Sequence, residues 1–312
     1  MHTIAAPLPL RVSPMMRDLN RLTGSTFDVL VVGGGIYGLT IAYDAAQRGL
    51  SVALVERDDF GSGASFNHLR TIHGGLRYLQ RLDLARARQS IRERRTLARI
   101  APHSVRPLPF ALPLYRSVVR GKSVMRAGFL LDRVIAAGRN RGLAASHRLP
   151  AGRVVGRGTA VQRFPGLKRH GLTGAAVFYD YVTIESDRLT FSYALAAAEH
   201  GAALANHLDA IAPLTDPADK RRVAGIRARD MVGGRELEIK ATVTVNATGS
   251  AIDRLLEPLA RKHSAAGPRS DGTCFSCPGA NGQSSVRGSR TGRSTPATLQ
   301  MIRAISSRSL PN

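Results

Sequence analysis

The sequence predicts an α/β fold: a doubly wound parallel sheet with an inserted, partly antiparallel substrate domain and a disordered C-terminal tail. Three observations carry this expectation. Residues 27–56, FDVLVVGGGIYGLTIAYDAAQRGLSVALVE, pass from an apolar run through a glycine cluster into an amphipathic stretch and a second apolar run. Strand-forming and helix-forming runs then alternate as far as residue 247. From about residue 263 Ser, Gly, Pro, Arg and Thr dominate with Asp271 as the one acid, a composition too poor in apolar surface to offset chain entropy.

Residues 27–32 form the short apolar run that a buried parallel strand needs. The run leads straight into Gly-x-Gly-x-x-Gly at Gly33, Gly35 and Gly38. The first glycine permits the tight turn, the second lets a pyrophosphate approach the backbone, and the third lets helix and strand pack closely. The helix N-terminus then turns its free N–H groups and dipole toward negative charge. Gly49 is a stop signal, and a second strand over residues 51–55 ends at Glu56, at the spacing of an acid that binds a ribose hydroxyl pair. An acid there disfavours a 2′-phosphate, which makes NADP the least expected ligand. A glycine triplet alone also fits a strand-to-helix turn without a ligand, but strand, glycines, helix, stop and acid in register point to a Rossmann-like dinucleotide site.

The chain of 312 residues is 43% hydrophobic, enough for a packed core, and carries a formal charge of +23, mostly from arginine. The arginines are dispersed and no aromatic-interleaved basic stripe accompanies them, so no nucleic-acid partner is expected. Cys274 and Cys277 make one isolated CxxC in a Gly/Ser-rich stretch, too few ligands for zinc, and with no other thiol there is no disulfide framework. No run of 18 apolar residues exists to cross a bilayer. Residues 1–24 lack the apolar core of a signal peptide and read as a disordered leader, with Met15 or Met16 as an alternative start. The expected location is the cytoplasm or the cytoplasmic face of a membrane.

After Glu56 comes a long loop of small and polar residues ending in His73, Gly74 and Gly75. Asp83 suits an N-cap, and Leu84, Ala87, Ile91 and Ala98 lie at helical spacing, with Arg86, Arg88, Arg92, Arg94 and Arg95 read as a solvated face. Residues 108–115, LPFALPLY, read as a proline-broken edge strand. A helix is expected over 123–137, a strand over 174–184, a helix over 186–200 capped by Ser186, a strand over 204–214, and strands over 222–245 with a turn at Gly233 and Gly234. The last strand closes on Asn246-Ala247-Thr248-Gly249, which resembles the second dinucleotide-contacting turn of flavoproteins. Gly121-Lys122-Ser123 lacks the upstream glycine of a phosphate loop, where Arg116 stands.

DVLVVGGGIYGLTIAYDAAQRGLSVALVERDDFGSGAS, then RTIHGGLRYL, then RERRTLARIAPHSVRPLPFALPLY, resemble the FAD-dependent glycerol-3-phosphate dehydrogenases, members of the D-amino-acid-oxidase-like flavoproteins, over residues 25–262. The resemblance implies FAD as cofactor. By it, Gly33, Gly35 and Gly38 hold the pyrophosphate and Glu56 the adenosine ribose. Ala64 and Ser65 occupy the loop near the pyrophosphate and ribityl chain, Ile72, His73 and Gly74 lie along the isoalloxazine, and Thr248 and Gly249 close over the FAD. The implied reaction passes a hydride from C2 of glycerol 3-phosphate to flavin N5 while a base takes the hydroxyl proton, with a quinone as electron acceptor and peripheral membrane contact helped by the basic surface.

His73 has the intrinsic pKa for that base, and Arg77 or Arg70 could hold an anionic substrate group; an ordering hydrogen bond for His73 and a loop-packing ion pair for Arg77 remain open. Phe66, Asn67, His68, Leu69 and Arg70 replace the family's Ser/Thr run ending in Lys, which keeps an amine or a 2-hydroxy acid open as substrate. The resemblance further implies a C-terminal truncation, since the family's later half is unrecognisable after Lys262; a reading-frame change and an inactive fragment are the corresponding alternatives. The expected organisation is a leader (1–24), a first FAD-binding segment (25–100), a substrate-domain segment (101–185), a second FAD-binding segment (186–262) and the tail (263–312).

Overall fold

The computed structural model describes residues 15–79, 81–116, 121–219, 222–255 and 257. Cys274, Cys277, the expected tail and the first 14 residues of the expected leader lie outside them. In chain order the elements are α1 (Leu19–Thr23), β1 (Thr26–Val32), α2 (Ile36–Gln47), β2 (Val52–Val55), β3 (Thr71–Ile72), α3 (Leu76–Leu79), α4 (Leu84–Ile100), β4 (Val105–Tyr115), α5 (Lys122–Ile135), β5 (Arg153–Gly156), α6 (Arg157–Arg163), β6 (Leu172–Thr183), α7 (Ser186–Glu199), β7 (Ala203–Ala205), β8 (Leu208–Thr215), β9 (Val223–Asp230) and β10 (Glu236–Asn246). They fall into two compact units, one running up to His68 and resuming at Thr190, the other Leu69–Leu189.

The first unit is built on a six-stranded sheet of order β7-β2-β1-β10-β9-β8. Strands β7, β2, β1 and β10 run parallel, and β10, β9 and β8 form an antiparallel meander. Consecutive residues Val29, Leu30, Val31 and Val32 are all buried, as a parallel strand covered on both faces requires. On one face Val29, Val31, Val52 and Leu54 meet Leu39, Ala42 and Ala46 of α2 and Ala194 and Ala197 of α7. On the other, Leu30, Val32, Ala53 and Val55 cluster with Leu22 of α1 and with Ile226 and Ile239 of the meander. The α2 contacts recur at i, i+3 and i+7, the helical period, and Leu39→Ala would cost about 2–5 kcal/mol through transfer and cavity terms. Gly49, with φ +85°, ends the helix as expected. The strand expected over 204–214 is two strands, β7 and β8, divided where His207 adopts φ +50°.

In the second unit β6 is central. It pairs with β4 along its length on one side and with β3 and β5 on the other, all antiparallel. The expected proline break does not occur: β4 is continuous from Val105 to Tyr115. Pro107, Pro109 and Pro113 share one parity, so their missing N–H groups all face the open edge and the ladder to β6 loses nothing. Helix α4 starts at Asp83, whose side chain accepts from Arg86 N at 3.1 Å. Its arginines are not all solvated, because Arg94 is buried.

Candidate functional site

In the first unit the glycine turn joins β1 to α2. Gly33 has φ +110°, and a Cβ there would lie 2.6 Å from Ala247 O. At Gly34 it would lie 2.7 Å from Phe60 Cδ1 and 2.8 Å from Glu56 Cβ, and at Gly38 it would overlap the Gly33 carbonyl. The missing side chains therefore let three backbone segments close on one another. Gly35 is the N-cap of α2 and offers no side-chain cap, so the first N–H groups of the helix seek other acceptors. Ser65 Oγ accepts from Ile36 N at 2.8 Å. Ala64, beside it, is exposed.

Glu56 ends β2. Its Oε2 accepts from Gly34 N at 2.6 Å and its Oε1 from Asp58 N at 2.8 Å. A carboxylate has about four acceptor positions, so each oxygen retains capacity for a hydroxyl donor. The late turn lies against this loop. Ala247 N donates to Val32 O at 2.8 Å, and Asn246 Oδ1 accepts from Thr248 N and Oγ1 at 3.2 and 2.6 Å, while its Nδ2 holds Ile252 O at 3.1 Å. Gly249 takes φ +60°. Gly33, Glu56, Arg57, Asp209, Thr248 and Arg254 line an open cleft. Arg254 pairs with Asp209 at 2.6 Å and Arg57 with Asp58 at 2.8 Å. The Asp58 hydrogen bond raises the pKa of Arg57, and its counterpart lowers that of Asp58. The structure thus brings Gly33, Gly35, Gly38, Glu56, Ser65 and Thr248 together in this unit.

In the second unit the segment between β3 and α3 holds the other expected residues. Ile72 packs with Val105 and Tyr181. His73 Nδ1 lies 3.1 Å from Asp180 Oδ2, and Gly74 N donates to Asp180 Oδ1 at 2.8 Å. Arg94 completes the cluster, pairing with Asp180 and donating to Tyr179 O at 3.2 Å. Asp180 and Arg94 are 4% and 6% exposed, whereas the His73 side chain is 68% exposed. Burial pulls the pKa of Arg94 down, opposed by Asp180. A Cβ at Gly74 would overlap the Arg94 guanidinium, and one at Gly75, with φ +81°, would lie 2.9 Å from Ser90 Cβ. The paired glycines therefore admit helix α4 and its charge. Arg70, with φ +56°, donates to Ile184 O at 3.0 Å. Arg77 is in α3, and its side chain lies outside the described residues.

Sequence reasoning missed Gly34, Arg94 and Asp180. Two signals were present: Arg94 stands at the i+3 position from Ile91 and the i−4 position from Ala98, on the buried face, and Asp180 is a charge inside a strand-forming run.

A model of the FAD dependent oxidoreductase (DAO) family matches residues 28–275. The chain belongs to this family. It is 39% identical over 258 residues to the mitochondrial glycerol-3-phosphate dehydrogenase of Bos taurus, covering 78% of this chain and 34% of that protein. It is 39% identical over 230 residues to the glycerol-3-phosphate dehydrogenase of Mycobacterium leprae (strain TN), covering 73% of this chain and 37% of that protein. Among solved structures, that of the glycerol-3-phosphate dehydrogenase from Bacillus halodurans complexed with FAD is similar, with TM-score 0.55 and 25% identity over 76% of this chain and 37% of that one. The chain spans about a third of the length of the curated relatives it matches. FAD is the family's cofactor, and the close-packed glycines, the α2 N-terminus and the remaining acceptor capacity of Glu56 fit its pyrophosphate and ribose.

Proposed function

We propose that this chain is the FAD-binding part of a dehydrogenase that oxidises glycerol 3-phosphate. The observation that carries the reading is the 39% identity over 258 residues to a protein of that name. Bound FAD would supply the two-electron acceptor, taking the C2 hydride at N5. Gly33, Gly35 and Gly38 would admit the pyrophosphate, Glu56 would accept from the ribose hydroxyls, and Ala64, Ser65, Ile72, Gly74, Thr248 and Gly249 would line the rest of the cofactor. His73 would take the hydroxyl proton at Nε2, leaving dihydroxyacetone phosphate as product. Arg77 and Arg70 would attract the phosphate, with Arg70 also donating to Ile184 O.

A quinone would reoxidise the flavin. Contact with an anionic membrane on its cytoplasmic face would follow from the charge of +23, given that no helix among the described residues is long and apolar enough to cross a bilayer. Anaerobic addition of glycerol 3-phosphate to the FAD-loaded chain should bleach the flavin band, and a soluble quinone should restore it. Bleaching by an amine or a 2-hydroxy acid, and not by glycerol 3-phosphate, would overturn the substrate assignment. Sedimentation with anionic vesicles, lost on raising the salt, tests the membrane contact.

A further inference from the structure

The second unit contains a buried carboxylate to which the function proposed above assigns no role. Asp180 sits on the central strand β6, where a charge is costly unless it is paired. It accepts from Arg94 of α4 and from the backbone N–H of Gly74, and its Oδ2 lies 3.1 Å from Nδ1 of His73. Arg94 and Gly74 are buried, and His73 is the one exposed group of the cluster. A carboxylate bonded to one imidazole nitrogen fixes which nitrogen carries the proton. Arg94 and Gly74 in turn hold the carboxylate still, and the bare Cα of Gly74 makes room for the guanidinium.

We propose that Asp180, anchored by Arg94, is the positioning residue for His73, holding its imidazole as the Nδ1–H tautomer with Nε2 as the bare proton-accepting nitrogen. That His73 then serves as the base in substrate oxidation rests on the function proposed above; the tautomer does not. The groups around the ring fit this role. From β6 Asp180 faces Nδ1, from α4 Arg94 reaches the far side of the same carboxylate, and from β4 the Phe110 ring lies with its centroid 6.4 Å from the imidazole. Phe110 is itself stacked on Phe178 at 5.5 Å, which gives the ring an apolar wall and leaves Asp180 as its charged partner across Nδ1.

A tautomer held by a carboxylate gives a signature that mere packing would not. Without that carboxylate the imidazole is free to exchange between its two neutral tautomers. The experiment is NMR of the His73 ring nitrogens, with the ring neutral, in the full ¹⁵N-labelled chain with FAD added. His73→Gln identifies the signal among the nine histidines. The neutral ring should be the Nδ1–H tautomer, and Asp180→Asn should mix the tautomers.

Asp180→Asn leaves Arg94 buried without its counter-ion, so Asp180→Asn/Arg94→Gln, which removes both charges, is measured beside it. It should keep the fold and show the same mixed tautomers. An Nε2–H ring in the wild type, or a tautomer unchanged in the double variant, would overturn the proposal. Reduction of the flavin by glycerol 3-phosphate separates the two readings. If the NMR signature holds and no reduction occurs, the substrate assignment fails while the positioning role stands. If reduction occurs, adding Asp180→Asn to His73→Asn should slow it no further, and an additional loss would overturn action through His73.

Discussion

The two units build their candidate sites from different materials. In the first, the parts are backbone: N–H groups at the start of α2, the space left by glycines, and one carboxylate at a strand end. In the second, they are side chains from distant parts of the sequence, with His73 and Asp180 separated by 107 positions and Arg94 and Asp180 by 86. The glycine turn, helix start and strand end of the first site are neighbours along the chain, with the late turn at Thr248 added from a distance. A site made of side chains depends on which strands pair. The first therefore fails when a side chain is added, and the second when one is removed.

The largest expected effect is at Gly35. Its φ of −76° is open to any residue, so Gly35→Leu should leave the fold intact while its side chain blocks the approach to the α2 N-terminus. Flavin binding should vanish in a desalting assay, with the melting transition retained. A variant that still holds FAD would break the distinction between the two sites.

In the second unit Arg94→Ala should destabilise by about 3–5 kcal/mol in denaturant titration, because it strands the buried Asp180 charge. Replacing both partners, Arg94→Met with Asp180→Leu, should cost much less than the sum of the single changes. Equal and additive losses would mean that the pair is not coupled as the geometry has it. His73→Ala should slow flavin reduction by about 100-fold or more without loss of FAD, measured by rapid mixing. Glu56→Gln should weaken FAD binding by roughly 10-fold by calorimetry, since it exchanges one charged acceptor for a neutral one.

The smallest effect concerns pH. Burial pushes the pKa of Asp230 up but is outweighed by donation from Val232 N, Arg17 and Gly233 N, so the folded value lies below the unfolded one. Its contribution is then present above about pH 4 and is lost as pH falls through the lowered folded value. Asp230→Asn should cost about 1 kcal/mol at neutral pH and flatten the acid limb of stability against pH. An unchanged acid limb would contradict this.

The same contrast explains what could be read in advance. The strand, the glycine turn, Gly49 as stop and Glu56 were legible because each rule involved is local, and β1 and β2 formed within a residue of expectation. The continuity of β4 was not, because a proline's effect depends on which side of the strand is paired, and that is settled by β6, more than 50 residues away. The break at His207 was hidden for another reason: nothing in its residue type demands a positive φ. Arg94 was misread by weighting charge over period, although its spacing from Ile91 and Ala98 put it on the buried face. Asp180 stood out only as an anomaly, and its meaning needed the partners that folding brings to it.

The most direct measurement is the absorption spectrum and melting temperature of the purified full chain with and without FAD. Flavin bands that survive gel filtration, together with a melting temperature that rises with FAD concentration, are the predicted result. A chain that melts cooperatively yet stays colourless, with a melting temperature indifferent to FAD, would contradict the assignment of the glycine turn and Glu56 as a flavin site.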